Sequence, residues 1–314
     1  MHMAATVKGK PLSEGRYIWG KAKSWRKNIP FIVMLTPFLI IFVLFMLLPV
    51  LMAVALSMTD FNMLQMPSFV GAANYIRLFF EDDVFMIDIK NTLILAVITG
   101  PIGYILSFVV AWFINEFGRQ MRRLFTLVMY APVLCGNIYF IWLYIFSADS
   151  RGFLNDMLFK LGMIRDPMSW LTDTRYNLAV VTIVTIWLSF GAGFLSFISG
   201  LQSLDRTYYE AAAIDGLKNR WQELYYVTFP QMKQFLLFGA VISISGAFSV
   251  GAVNQALTGF PSTNYSTDTI LLHIMDYGQI RFEMGYASAI AVVLFGMMLG
   301  AWAIVRKALN KFSA

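Results

Sequence analysis

Hydroxyl and amide side chains recur where this sequence is otherwise most apolar. Thr185, Ser189, Ser196 and Ser199 share one apolar run, Ser243, Ser245, Ser249, Asn254 and Gln255 the next, and Asn137 and Tyr139 an earlier one. Polar groups in such runs are costly unless they face a cavity or another helix. The chemistry open to them is reversible hydrogen bonding to a neutral, hydroxyl-rich solute, with Trp187, Phe190 and Phe248 at similar depth as flat stacking surfaces. Thr185, Ser189, Ser243 and Asn137 are the foremost candidates for contact. The same small residues, in "SFGAGFLSFISG" and "SISGAFSVG", equally let helices pack closely, and the residues alone leave both readings open.

Covalent chemistry lacks equipment. The only histidines are His2 and His273 and the only cysteine is Cys135, which leaves no zinc site and no intrachain disulfide. There is no Gly-x4-Gly-Lys-Ser/Thr loop and no dinucleotide fingerprint. No span holds paired carboxylates or a Ser/His pair at one depth. The chain is expected not to be an enzyme and to bind no cofactor itself. His273 and Asp276 are expected in solvent.

The elements that must hold these side chains are long and apolar. Of 314 residues, 58% are hydrophobic and 13% charged, against roughly 25% charged in soluble domains. Six runs free of Asp, Glu, Lys and Arg each exceed the ~20 residues that cross a bilayer core. They predict an all-α integral membrane protein with spans near 31–58, 92–114, 124–146, 177–203, 235–258 and 285–305. A basic tail 1–30 precedes this 31–305 domain and a short tail 306–314 follows it. With both termini inside, 17 of the 24 Lys and Arg fall on the cytoplasmic side and 12 of the 18 acids outside, the usual topological bias. The net charge of +6 then reflects topology and contact with anionic lipid. Basic residues are too dispersed for nucleic acid, and no outer segment is long enough to fold into a capture domain.

One segment interrupts this pattern. Residues 205–233, containing "YYEAAAIDGLKNRWQELYYVTFP", are polar, Ala-rich and set between two spans. Thr207 to Glu210 fits a capping box, Glu210-Ala211-Ala212-Ala213-Ile214 a short helix, and Gly216 a left-handed stop after Asp215. Leu217, Trp221, Leu224 and Tyr225 then predict an apolar stripe on a second helix, and Pro230 the start of the next span. A projecting alanine surface suits a partner protein, and alanines are also simply good helix formers.

This insert resembles the "EAA" signature of ABC-transporter permease subunits: Glu210-Ala211-Ala212, three residues, Gly216, then Val227-Thr228-Phe229-Pro230. Two features depart from the usual pattern: the Gly-to-Val spacing is one residue longer, and Phe229 stands for Leu. In order along the chain, "LTPFLIIFVLFMLLPVLMAVALSMTDF", "FVGAANYIRLF", "NTLILA", "RRLFTLVMYAPV", "RGFLNDML" and "GYASAIAVVLF" look like landmarks of the maltose- and glycerol-phosphate-type carbohydrate permeases. "TGFPSTNYST" departs from them, with Phe260 where the family has Gly.

The resemblance implies a type I ABC importer permease in a prokaryotic plasma membrane. It implies a second, non-identical permease subunit, two cytoplasmic ATPases holding ATP and Mg, an extracytoplasmic solute-binding protein and a sugar cargo. Glu210, Ala211, Ala212, Ala213, Asp215, Gly216 and Pro230 would couple the insert to an ATPase. A permease for a glycerophosphodiester or peptide is the alternative. An ion-driven secondary transporter would need a buried carboxylate in a span and repeated halves, and neither is visible.

Overall fold

The computed structural model describes residues 25–136 and 138–312. Asn137 and the basic tail before Trp25 lie outside them. The described residues form two units, one ending at Met52 and one starting at Ala53.

The first helix, α1 (Trp25–Phe42), starts six residues before the predicted span and continues through a π-turn, Val43–Leu47, into Leu48–Leu56. Sequence explains the widened turn. Pro49 has no N–H to give, and its ring would strike the carbonyl four residues back. The Leu48 amide instead reaches the Val43 carbonyl, and the wider turn makes room.

The second unit is helical throughout its core. Its helices are α2 (Ala73–Phe80), α3 (Asp83–Glu116), α4 (Arg119–Leu134), α5 (Tyr139–Ile145), α6 (Phe153–Lys160), α7 (Asn177–Trp187), α8 (Ala192–Ser203), α9 (Arg206–Ile214), α10 (Arg220–Glu223), α11 (Lys233–Phe248), α12 (Ala252–Thr258), α13 (Ile270–Met275) and α14 (Met284–Phe312). Phe108, Ala111, Phe194, Phe197 and Leu236 join α3, α8 and α11 on the insert side. Leu95, Val180, Val184 and Val253 join α3, α7 and α12.

Among the described residues five helical stretches, α7–α8 and α11–α12 each counted as one, are long and apolar enough to cross a membrane. The third predicted span is not one straight helix. It breaks after Leu134 and resumes at Tyr139, the two pieces bent by 87°, beside Pro132 and Gly136. Paired, they make the sixth crossing. Helix α14 runs on to Phe312, so most of the expected tail after 305 continues the last helix.

On the side opposite the insert, His273 is buried, contrary to the solvated position expected for it. Only 5% of its surface is exposed. Its Nε2 lies 3.0 Å from Asp82 and its Nδ1 2.8 Å from Asp88. The Tyr286 hydroxyl donates to the same Asp82 oxygen at 2.8 Å. Asp276 is not free in solvent either: it pairs with Arg281 at 2.7 Å. The loop before α13 is tied to α3 by the Asn91 amide, which donates to the carbonyls of Tyr265 and Asp268. The contacts of His273 and Asn91 lie across more than 170 residues of chain, so no local pattern announces them.

Candidate functional site

Two spans break at matching points. Between α7 and α8 the helix lapses over Leu188–Gly191, and between α11 and α12 over Ser249–Gly251. Both breaks open onto one cavity of about 300 Å³, closed on its third side by α3. A break frees backbone amides and carbonyls, which membrane proteins tolerate where the backbone is buried in protein or lines a cavity. "SFGAG" and "SVGAV" carry the glycines that permit it.

Thr185, Ser189 and Ser243 all line this cavity, and their hydroxyls are in different states. Thr185 donates to the Val181 carbonyl at 2.8 Å, one turn back in its own helix, and is already satisfied. Ser189 sits at the break. Its carbonyl accepts from Ser107 at 3.2 Å, and it packs on Gly103, where a Cβ would come 2.8 Å from that of Ser189. Only glycine allows that approach. The half-buried Ser243 makes no side-chain hydrogen bond among the described residues. Ser196 and Ser199, lower on α8, do not line the cavity.

Sequence reading passed over one wall entirely. Thr99, Gly103 and Ser107, with Gly100 and Tyr104, face the cavity from α3. Their four-residue spacing puts them on one helix face, a signal visible in "TGPIGYILS". The aromatics chosen from sequence are used otherwise. Phe190 and Phe248 are core residues and Trp187 packs edge-on to Trp142 at 5.2 Å, whereas Tyr139, named from the sequence with Asn137, does line the cavity, together with Tyr104. Asn254 is also diverted: its amide donates to the Thr267 carbonyl and fastens the loop after α12.

The insert is built differently from the expected capping box. The N-cap of α9 is Asp205, not Thr207. Its carboxylate accepts from the Thr207 amide at 3.0 Å and hydroxyl at 2.8 Å, because a carboxylate at this position reaches both. Those two hydrogen bonds, chiefly the one from the Thr207 amide, hold the Asp205 carboxyl below its usual pKa. A box-like arrangement forms instead at α10. Asn219 accepts from the Gln222 amide at 2.8 Å, and the Gln222 side chain accepts from the Lys218 amide at 2.9 Å. Gly216 has φ of +95°. Its amide donates to the Ala213 carbonyl and the Leu217 amide to Ala212, the paired bonds of a Schellman stop.

Ala212 turns inward, whereas Glu210, Ala211, Ala213 and Asp215 are exposed. Ile214, beside them, is 87% exposed and was not singled out from sequence. The expected apolar stripe is corrected: Leu224, Val227 and Thr228 are buried while Trp221 and Tyr225 are exposed. A π-turn over Leu224–Thr228 shifts the facing, and Pro230 two residues later supplies the cause, as Pro49 does in α1. Pro230 therefore sits within continuing helix rather than at its start. The insert is braced on the end of α3 by Arg220 to Glu116 at 3.2 Å, by Trp221 on Trp112 at 5.4 Å, and internally by Tyr209 to Thr228 at 2.9 Å.

Residues 99–306 match the family model described as "Binding-protein-dependent transport system inner membrane component". The chain is 30% identical over 260 residues to the lactose transport system permease protein LacF of Rhizobium radiobacter, covering 81% of this chain and 85% of that one. It is 27% identical over 287 residues to the arabinooligosaccharides transport system permease protein AraP of Bacillus subtilis (strain 168), covering 89% and 90%. The structure superposes on a chain of a bacterial ABC transporter involved in the import of the acidic polysaccharide alginate. The TM-score is 0.70 and the identity 25%, over 91% of this chain and 98% of that one.

Proposed function

The chain belongs to the family of binding-protein-dependent transport system inner membrane components, and from that membership we propose that it forms one wall of the path for a sugar or short oligosaccharide. It is a multi-pass membrane protein and a permease component, not an enzyme. The carrying observation for the cargo is the cavity, whose lining offers hydroxyls, two tyrosines and opened backbone but no Asp, Glu, Lys or Arg. Its size is at the small end for ligand pockets, which suits one sugar unit at a time. Relatives named for lactose and arabinooligosaccharides support the same class.

Around that path we place the remaining parts. Both termini and the insert face the cytoplasm of a prokaryotic cell, and a second permease subunit completes the cavity. Two ATPases hold ATP and Mg, and one receives α9, with Ile214 as the apolar contact flanked by Glu210, Ala213 and Asp215. The Schellman stop and the bracing on Glu116 and Trp112 make α9 a stiff lever on α3, whose middle stretch, from Thr99 to Ser107, forms the cavity wall. Closure of the ATPase pair shifts the permease only through differential binding to its two states.

The test is sugar-stimulated ATPase activity of the reconstituted complex with its binding protein, comparing wild type with Gly216→Asp. At φ of +95° a side chain is strained by about 1 kcal/mol or more, enough to distort the stop. The expected result is loss of sugar stimulation, with poor assembly or uncoupled hydrolysis. Unchanged uptake and stimulation would remove the insert from the mechanism.

A further inference from the structure

A second cavity of about 420 Å³ opens between α4 and α8, on the insert side and away from the path. Arg119, Arg122 and Arg123 line one end, and no acidic residue lines it anywhere. None of the three forms an ion pair among the described residues. Arg122 is held in place by donating to the carbonyls of Asn115 at 2.8 Å and Phe117 at 3.1 Å, at the end of α3. Its Nε is buried without a partner. The first turn of α4, which carries Arg119 and Arg122, has no side-chain cap, and helix N-termini favour anions.

One or two turns deeper no charge remains: Leu127 from α4 and Leu195 and Ile198 from α8 make an apolar strip, beside Thr126 and Tyr130. Beyond them the outer face of α4 is bare hydrocarbon, Leu124, Leu127 and Val128 being 51%, 59% and 53% exposed. A positively charged head end above an apolar trough is the shape of an anionic phospholipid. Basic pockets between membrane helices bind such headgroups. A free anion would use the arginines and leave the trough empty.

We propose that this groove is a binding site for an anionic phospholipid, its phosphate on Arg119, Arg122 and Arg123 and an acyl chain along Leu127, Leu195 and Ile198. Because Arg122 also clamps the end of α3, a bound headgroup would stiffen the corner on which the insert is braced.

The full chain, purified in detergent, is offered phosphatidylglycerol and phosphatidylcholine in equal amounts, and retained lipid is counted by native mass spectrometry. Wild type should retain phosphatidylglycerol in preference, the preference fading as salt rises. The double variant Arg119→Gln/Arg123→Gln, which spares the structural Arg122, should bind phosphatidylglycerol roughly 10- to 30-fold more weakly. Gln202→Glu, placing an acid at the head end, should do likewise, so the result does not hang on one variant's folding. Equal retention of the two lipids by wild type, or a preference surviving in both variants, overturns the proposal. Displacement of the lipid by millimolar inorganic phosphate overturns it too, since the site would then be one for free anions.

Discussion

At the scale of single residues, the cavity separates hydroxyls by what else they must do. Thr185 is satisfied by its own helix, whereas Ser243 has its hydroxyl to spare. Ser243→Ala should therefore weaken sugar-stimulated ATPase about fivefold in apparent affinity, the worth of one hydrogen bond of about 1 kcal/mol, with assembly unchanged. Thr185→Val should change it less. Dose-response curves against sugar-loaded binding protein distinguish them. Gly103 is the converse case. An alanine there puts a Cβ 2.8 Å from that of Ser189 and should cost about 1–3 kcal/mol of stability through overpacking. Ser189→Gly should recover most of it, and thermal melts of the two single variants and the double variant measure the coupling.

At the scale of elements, the same physics recurs in unrelated places. A π-turn lies two residues ahead of Pro49 after α1 and again two residues ahead of Pro230 after α10, and in both places the wider turn makes room for a ring that would strike the carbonyl four residues back. In the insert, the start of α9 depends on Asp205. Asp205→Ala should destabilise that helix by about 1 kcal/mol, seen as faster hydrogen exchange over residues 206–214. Glu210→Ala should leave exchange there unchanged and alter coupling to the ATPase instead, because Glu210 takes no part in the cap. Equal exchange in both variants would return the cap to Thr207 and Glu210.

For the molecule as a whole, the buried His273 is the tie on the side opposite the insert. It joins the head of α3 to α13 and, through Asp82 and Tyr286, to α14. Burial pushes its pKa down, and hydrogen bonds and attraction to Asp82 and Asp88 outweigh that, raising it from 6.5 to about 9. A raised pKa contributes stability that is complete below 6.5 and lost as the pH climbs through about 9. Burial acts on Asp82 in the opposite sense from its hydrogen bonds, and the bonds win, so its carboxyl is held below its usual range. Its contribution disappears only in acid. The melting temperature should therefore fall between pH 6.5 and 9, and His273→Gln should melt lower with a flatter profile over that interval. A wild-type profile that is flat there would place a neutral imidazole in the cluster.

What this sequence determined by itself was whatever depends on a continuous stretch of chain. Charge-free runs announced the spans, because a bilayer imposes a length. The Ala-rich insert with its glycine stop was equally plain, because helix ends are local chemistry. Tertiary structure alone decided which hydroxyl of several is free. It brought α3 in as the third wall, and it buried His273 between two aspartates that stand about 190 residues away in sequence. It also moved the cap from Thr207 to Asp205 and turned Trp221 and Tyr225 outward. Those outcomes come from which backbone groups are already satisfied and which faces other helices cover, and neither is encoded in a residue's near neighbours.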